Sequence, residues 1–292
     1  MTVGLFLQAL FGGLANGAMY GLIAVGLTLV FGVMRIINFA HGEFLMIAMY
    51  AAYFAWALGG LDPVLAVLVV APLLMVCGTL LYSGLLRFAL RVPEINQMAV
   101  TLGLSLLMQY LALLFFTGDN RLVILPRSTE GVGIGSVMLQ VPQLIAGGAS
   151  LLLLGLLYFL LRRTDFGLMM RAVSQSHEGA QLSGIDIGRV YRWAMAVGIG
   201  TLGVAGPLLV SVLYVNPHVG ALFTLKAFVI VIVGGLGSFG GALLGGLIVG
   251  VAESIAVVWF SASIAAAVPF VLLILILLWR PEGLLTWKGA HR

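Results

Sequence analysis

A long polar segment interrupts a chain that is otherwise almost continuously apolar. It runs from Arg162 to Arg192 and reads RRTDFGLMMRAVSQSHEGAQLSGIDIGRVYR. A segment of this length and charge is incompatible with the hydrocarbon core of a bilayer, so it lies in water. Its five arginines place it on the cytoplasmic side, because short cytoplasmic loops of membrane proteins carry the excess of Lys and Arg. We expect this segment to be where a cytosolic partner docks.

The composition assigns the chain to the polytopic membrane proteins. Apolar residues make up 62% of it and charged residues 8%, and the mean hydropathy of +1.18 lies far outside the range of soluble domains. The net charge is +4, but the basic residues gather in short loops between apolar spans, which indicates membrane lipid as the surroundings and no nucleic-acid partner. The single cysteine, Cys77, excludes a disulfide or a cysteine metal site within the chain.

Apolar runs of about 20 residues, long enough to cross a bilayer, predict an all-α polytopic membrane protein with eight or nine transmembrane helices. The candidate spans lie near residues 5–33, 43–60, 63–86, 97–116, 142–161, 191–213, 221–237, 240–260 and 263–279. The glycine-rich stretch 233–246, VGGLGSFGGALLGG, predicts a tight turn, a break between half-helices, or close helix packing. No Lys or Arg precedes the first span, so we expect it to be retained rather than cleaved as a signal peptide. Residues 1–292 then form one transmembrane domain.

The distribution of Lys and Arg over alternate loops predicts the orientation. With nine spans, one side carries Arg35, Arg87, Arg91, Arg162, Arg163, Arg171, Arg189, Arg192, Arg280, Lys288 and Arg292. The other side carries Arg121, Arg127 and Lys226. The first side is expected to be cytoplasmic, with the N-terminus outside and the C-terminus in the cytoplasm. Loop 162–190 is then cytoplasmic, and loop 117–141 is extracytoplasmic, where it either docks a partner or connects two spans.

Two carboxylates lie within predicted spans, although a carboxylate at the bilayer centre costs roughly 2.5–3.5 kcal/mol. Glu43 belongs to the sequence RIINFAHGE, where Arg35, Asn38 and His41 are within one or two helical turns of it. This cluster is either a self-satisfied cap at the end of a span or part of a gate or transport path. Glu253 has no charged neighbour in sequence, so its partner must come from another helix or from water in a cavity.

Further polar side chains in the spans are candidates for a translocation path. They are Asn16, Tyr20, Thr101, Ser105 and Gln109. The last three follow an i, i+4, i+8 spacing, which places them on one face of a helix. Such a stripe either lines a path or joins helices by hydrogen bonds.

The sequence lacks the signatures of enzymes. His41-Gly-Glu43 resembles the start of a zinc-deaminase motif, but the cysteine ligands of that motif are missing. The chain has no H-E-x-x-H, no G-x-S-x-G elbow and no G-x-x-x-x-G-K-[ST] phosphate loop. We therefore expect a non-enzymatic chain without a cofactor or metal of its own. If ATP drives it, another subunit binds the ATP.

The stretch from Asn16 to Tyr50, NGAMYGLIAVGLTLVFGVMRIINFAHGEFLMIAMY, resembles the N-terminal signature of a permease family. These are the permease subunits of branched-chain amino-acid ABC importers, the hydrophobic amino acid uptake type. The family's R-A…A…G-I…A-G pattern is matched by Arg171-Ala172, Ala180, Gly184-Ile185 and Ala205-Gly206. Stretch 233–246 is similar to the family's C-terminal region, and the resemblance extends from about Leu5 to Leu285.

The resemblance implies a bacterial inner-membrane subunit that moves branched-chain or related hydrophobic amino acids by alternating access. It implies a second related permease, identical or different, two cytoplasmic ATPases and a soluble extracytoplasmic binding protein. ATP and magnesium would be bound by the ATPases. Similar permeases serve urea, short amides or aromatic acids, which are the alternative cargoes. A channel or an ion-coupled secondary transporter is the alternative from another class.

The resemblance also places a coupling helix within loop 162–190. The contact residues implied are Arg171, Ala172, Ser176, Glu178, Ala180, Gly184 and Ile185. Ala172, Ala180 and Leu182 are expected to form a small apolar face that seats in a groove on an ATPase. Arg171 and Glu178 are expected to be charges at the rim of that contact. The alternative is a solvated linker with incidental helicity.

Overall fold

The computed structural model describes residues 3–134 and 137–285, and nearly all of its regular structure is helical. The helices are α1 (Val3–Met34), α2 (His41–Gly59), α3 (Pro63–Leu81), α4 (Arg87–Ala89), α5 (Glu94–Phe116), α6 (Val141–Arg163), α7 (Asp165–Gln175), α8 (His177–Leu182), α9 (Ile187–Val210), α10 (Val219–Gly234), α11 (Phe239–Trp259), α12 (Ala262–Ala265) and α13 (Val268–Trp279). A π-helical segment, Tyr82–Leu86, joins α3 to α4, and the strands β1 (Gly131–Ile134) and β2 (Val137–Gln140) form one hairpin. The prediction of an all-α polytopic membrane protein is confirmed. Lys288 and Arg292 lie outside the described residues.

Eight helices within the described residues are long and apolar enough to cross a membrane. The segment Pro63–Ala89 is one of them, and α12 and α13 together form another, Ala262–Trp279. A ninth apolar helix, α10, has 16 residues. At 1.5 Å per residue it is about 24 Å long, which is shorter than a hydrocarbon core of about 30 Å. The predicted count of eight or nine is confirmed, and α10 accounts for the difference.

The connections between helices gather at two opposite ends of the bundle. At one end, Ser174 of α7 donates a hydrogen bond of 2.6 Å to the carbonyl of Gly32, near the end of α1. At the other end, Arg121 pairs through its backbone with Val215, between α9 and α10. We call the first the Arg-rich end, because antiparallel succession of the spans places most of the predicted cytoplasmic arginines there. The second is called the opposite end.

Lys226 departs from this distribution. It was counted with the basic residues of the opposite side, although it falls within the predicted span 221–237, and it lies near the middle of α10. Counting it at the opposite end is therefore wrong, and that end keeps only Arg121 and Arg127 of the residues assigned to it. The imbalance of basic residues between the two ends becomes larger.

Glycines bring the backbones of α1 and α11 together. A Cβ atom on Gly17 would lie 2.7 Å from Cα of Leu247, and one on Gly13 would lie 2.6 Å from Cα of Val251. A side chain therefore fits at neither position. Inside a membrane no hydrophobic driving force brings helices together, so close backbone packing between small residues is what holds them. We call this contact the glycine seam.

The glycine-rich stretch 233–246 contains a tight turn and also contributes to close packing. Gly235 and Gly237 have φ of +103° and +78°, a region that glycine occupies without steric cost. The hydroxyl of Ser238 then begins α11 by accepting a hydrogen bond of 3.1 Å from the N–H of Gly241. Because α11 continues unbroken from Phe239 to Trp259, the chain turns between α10 and α11 and is not interrupted within α11.

The connection between α5 and α6, residues 117–140, is docked on the opposite end. Arg127 contacts Asp62, at the start of α3, with a distance of 2.6 Å, and the two side chains are only 28% and 26% exposed. Arg121 donates a hydrogen bond of 2.7 Å to the carbonyl of Phe116. Its guanidinium also lies 5.3 Å from the centroid of the Phe54 ring. Two arginines thus attach the connection to the ends of the spans.

Replacing Gly17 with alanine is expected to destabilise the folded chain by about 1–3 kcal/mol, the usual cost of overpacking a filled site. In an open helix the same change is favourable by about 1 kcal/mol, because alanine is the better helix former. Gly155→Ala in α6 is the matched control, since a Cβ there meets no described atom within 4 Å. Thermal unfolding of both purified variants in detergent should show a lowered midpoint for Gly17→Ala only. Equal midpoints would show that the glycine seam accepts a side chain.

The Asp62–Arg127 contact predicts a pH dependence at the opposite end. Partial burial opposes ionisation of Asp62, but hydrogen bonds from Arg127 and from the N–H of Val64, with the Arg127 charge, outweigh it and lower the pKa of the carboxyl. A lowered carboxyl pKa stabilises the fold fully above the ordinary value of about 4. That contribution disappears as the pH falls through the lowered pKa.

We therefore expect pepsin to cleave the connection 117–140 faster as the pH falls below about 4. Asp62→Asn should be cleaved roughly five-fold faster than the wild type above that pH, since a partly exposed ion pair contributes about 1 kcal/mol. Asparagine keeps the N-cap of α3, so the change isolates the charge. Cleavage rates can be followed by mass spectrometry. Identical profiles for the two proteins would exclude a role of this ion pair in docking.

Candidate functional site

The chain between α1 and α2 turns back among the helices instead of leaving them. Residues 35–40 are non-helical, and Arg35 takes a φ of +54°. The side-chain oxygen of Asn38 accepts a hydrogen bond of 3.1 Å from the N–H of Ala40, which shapes the entry into α2. Nε2 of His41 lies 3.0 Å from the carbonyl of Ile23, well before the end of α1. Helix α2 therefore begins deep inside the bundle.

Glu43 is completely buried, and its partner comes from a distant helix. The hydroxyl of Ser105 on α5 donates a hydrogen bond of 3.1 Å to Oε1, while Oε2 has no hydrogen-bond partner among the described residues. Gly220 packs so closely on this carboxyl that a side chain at its position would overlap it. The sequence neighbours that could have paired with Glu43 do not bond to it in the described structure. They are Arg35, Asn38 and His41. Of the two alternatives for this cluster, the structure therefore contradicts the self-satisfied cap.

The polar stripe of α5 faces this region. Thr101 donates a hydrogen bond of 3.0 Å to the carbonyl of Ile37, and Ser105 binds the carboxyl described above. Nε2 of Gln109 lies 3.1 Å from Nδ1 of His218. The three residues therefore share one helix face, as their spacing predicts, and each bonds to a different element.

Helices α2 and α10 begin against each other. The N–H of Gly42 donates a hydrogen bond of 2.9 Å to the hydroxyl of Thr224. The Thr224 hydroxyl has one proton to donate, and two carbonyls lie within its reach, that of Gly220 at 3.1 Å and that of Phe39 at 3.3 Å. Helix starts that meet inside a membrane bundle are typical of the discontinuous helices that form solute sites in transporters.

An ion pair connects α10 to α11. Nζ of Lys226 lies 2.9 Å from each carboxylate oxygen of Glu253 and donates a hydrogen bond of 3.2 Å to the hydroxyl of Tyr20. It also lies 4.3 Å from the centroid of the Tyr20 ring. Of the two sources expected for the partner of Glu253, another helix or water in a cavity, the structure shows another helix, α10. Lys226 was not among the predicted site residues, although it stands out in the sequence as a lone lysine inside the apolar run 221–237.

The predicted path residues therefore fall into separate groups. Those around the start of α2 are Asn38, His41, Glu43, Thr101 and Ser105, and those at the ion pair are Tyr20 and Glu253. Gln109 reaches towards the opposite end, and Asn16 lies in a groove of about 370 Å³, where it accepts a hydrogen bond of 3.0 Å from Gln143. In the part of the chain that the structure describes, no three His, Cys, Asp or Glu residues come together as metal ligands.

The polar segment folds into two short helices at the Arg-rich end. The hydroxyls of Thr164 and Ser176 cap α7 and α8 by accepting hydrogen bonds of 3.3 and 3.0 Å from backbone N–H groups. Gly184, with φ of +78°, follows the end of α8. Helix α7 contacts α1, α6 and α9, so the segment is attached to the spans.

The residues of the expected coupling surface are distributed differently from the prediction. Nη1 of Arg171 donates a hydrogen bond of 2.9 Å to the carbonyl of Leu161, so this charge stabilises the end of α6. Ala180 is 3% exposed whereas Leu182 is 90% exposed, so they do not share an apolar face. Ala172 and Ile185 are half-buried, and the exposed members of the set are Ser176, Glu178 and Gly184.

Comparison with known proteins gives a consistent result over the chain. A family described as the permease component of the branched-chain amino acid transport system matches residues 9–277. The high-affinity branched-chain amino acid transport system permease protein BraD of Pseudomonas aeruginosa is 32% identical, over 96% of this chain and 95% of BraD. The corresponding protein LivH of Escherichia coli is 33% identical over the same shares. The probable branched-chain amino acid transport permease protein LivH of Methanocaldococcus jannaschii is 28% identical, over 93% of this chain and 90% of the relative.

These similarities cover the membrane helices and the polar segment alike, and no solved structure matches the chain with significance. The sequence similarities agree with a multi-pass membrane protein and with a transport subunit rather than an enzyme. The chain belongs to the family of permease components of branched-chain amino acid transport systems.

Proposed function

We propose that this chain is the membrane-spanning subunit of an ATP-driven ABC importer for branched-chain or related hydrophobic amino acids. A second permease, identical or related, two ATPases that bind ATP and magnesium, and an extracytoplasmic binding protein complete the importer. The complex lies in the bacterial inner membrane. The excess of arginine supports a cytoplasmic position for the Arg-rich end and an external position for the N-terminus.

The attachment of α7 and α8 to the spans carries this proposal. Ser174 links α7 to Gly32 of α1, and Arg171 links it to the end of α6. Helices that are held in this way move as units when a partner pushes on them. ATPase closure would displace α7 and α8, and the bonded ends of α1 and α6 would follow. The glycine seam would carry the displacement of α1 to α11.

Leu182 is expected to contact the ATPase, because it is 90% exposed on α8. Leu182→Asp should reduce both ATPase co-purification and amino-acid uptake by roughly ten-fold, the effect of losing about 1.4 kcal/mol of binding free energy. An unpaired carboxylate in an apolar interface is unfavourable, whereas Leu182→Met should retain both properties. Immunoblotting of membranes should show equal amounts of the two variants. Full ATPase co-purification with Leu182→Asp would contradict this placement of the contact.

The transport function is tested by deleting the chromosomal gene and measuring uptake of radiolabelled leucine, isoleucine and valine. Uptake should fall in the deletion strain and return with a plasmid copy. It should resist a protonophore and stop when arsenate depletes ATP. Uptake that stops with the protonophore while ATP is maintained would indicate an ion-coupled transporter instead. Restored uptake of urea, short amides or aromatic acids, but of no branched-chain amino acid, would assign a different cargo.

A further inference from the structure

We propose that Lys226 and Glu253 recognise the charged groups of a zwitterionic amino acid as it passes through the membrane. The α-carboxylate of the solute binds the ammonium of Lys226, and its α-ammonium binds the carboxylate of Glu253. This inference rests on the proposed transport function and specifies the residues that select the cargo. The two side chains belong to α10 and α11, so the site lies between these helices.

The partial exposure of the ion pair is the first observation. The side chains of Lys226 and Glu253 are 19% and 17% exposed, although both lie within membrane-embedded helices. Lipid chains cannot solvate charged groups, and ionisable residues inside membranes face the bundle interior or a water-filled cavity. The proposal therefore requires that this face of α10 and α11 meets water in the assembled transporter. Glu43, by contrast, is fully buried and has no such access.

A groove reaches Lys226 from the opposite end. It has a volume of about 180 Å³, and its lining includes Tyr214, Asn216, His218, Leu222, Phe223 and Lys226. Asn216 belongs to the connection docked on residues 117–140, because its side-chain amide donates a hydrogen bond of 2.8 Å to Asn120. The groove thus has polar groups at its entrance, apolar walls and one cation at its inner limit. A solute with a charged head and a hydrocarbon side chain matches this sequence of surfaces.

A zwitterion can enter at low energetic cost because its two charges can replace the partners that Lys226 and Glu253 provide for each other. Nζ of Lys226 is held by Tyr20 as well as by Glu253, so it keeps one partner when the Glu253 carboxylate turns away. The two charges of the solute then take the place of the two charges that separate. Every charge remains paired, whereas a solute with only one charge would leave Lys226 or Glu253 unpaired in a poorly solvated site, which is costly.

A double variant separates recognition from a structural role of the pair. Lys226→Met or Glu253→Gln alone leaves one unpaired charge. Uptake by either single variant is expected to be lost whether the pair recognises the solute or only stabilises the fold. The combined change Lys226→Met with Glu253→Gln removes both charges at nearly constant volume. Each form replaces the chromosomal copy in the host, so the transporter retains its natural subunits. Uptake of radiolabelled leucine is measured, and Leu225→Met, on the exposed side of α10, is the matched control.

The proposal expects the double variant to reach the membrane in normal amounts and to lose uptake by at least about ten-fold, whereas Leu225→Met transports normally. Wild-type uptake by the double variant would make the pair structural and overturn the inference, while the proposed transport function would stand. Wild-type cells without gene-dependent uptake of any amino acid would overturn both.

If the double variant fails to reach the membrane, the reversed pair Lys226→Glu with Glu253→Lys tests whether the two charges recognise the solute. It keeps the attraction between the helices but reverses the charges that meet the solute. The proposal expects a KM for leucine raised by at least about ten-fold, because the cargo must reverse its charged groups in the groove. An unchanged KM would overturn the inference.

Discussion

The packing of α1 on α11 is the contact on which the rest of the structure depends. At Gly13 and Gly17 it leaves no room for a side chain, so the two backbones are held in a fixed register. Helix α1 also contacts α6, α7, α9 and α10, which makes it the central helix of the bundle. Because lipid provides no hydrophobic force between helices, a shift in this register would disturb each of those contacts.

Polar side chains inside the bundle are of two kinds, those fully buried and those partly exposed, and the two kinds have different roles. Glu43 bonds to Ser105 of α5, Thr101 bonds to Ile37 in the connection before α2, and all three side chains are closed off from solvent. At Lys226 and Glu253, two full charges neutralise each other but remain partly exposed. The first arrangement joins helices, as interhelical hydrogen bonds do throughout membrane proteins. The second keeps charges at a surface that only water or another polar group can cover.

The sequence predicts those features that follow from local composition. Span positions follow from apolar run length, and the shared face of Thr101, Ser105 and Gln109 follows from their spacing. The particular partners that side chains find in distant elements could not be predicted from local composition. Glu43 bonds to Ser105, 62 residues away, and the attachment of Arg171 to the end of α6 requires knowledge of how α7 folds back. Lys226 was counted with the basic residues of one side because such a count places every lysine in water, although an ion pair lets a lysine lie within a span.

The central position of α1 connects the two proposed sites physically. Gly32, near its end, accepts the hydrogen bond from Ser174 of the α7–α8 segment, and Tyr20 on the same helix accepts one from Lys226. At 1.5 Å per residue the two positions are about 18 Å apart along the axis. A continuous helix transmits an axial or tilting displacement over such a length without loss, because its hydrogen bonds keep the rise constant. Movement imposed by an ATPase on α7 would therefore reach the hydroxyl that holds Lys226, and would change the geometry of the ion pair when the transporter changes its orientation.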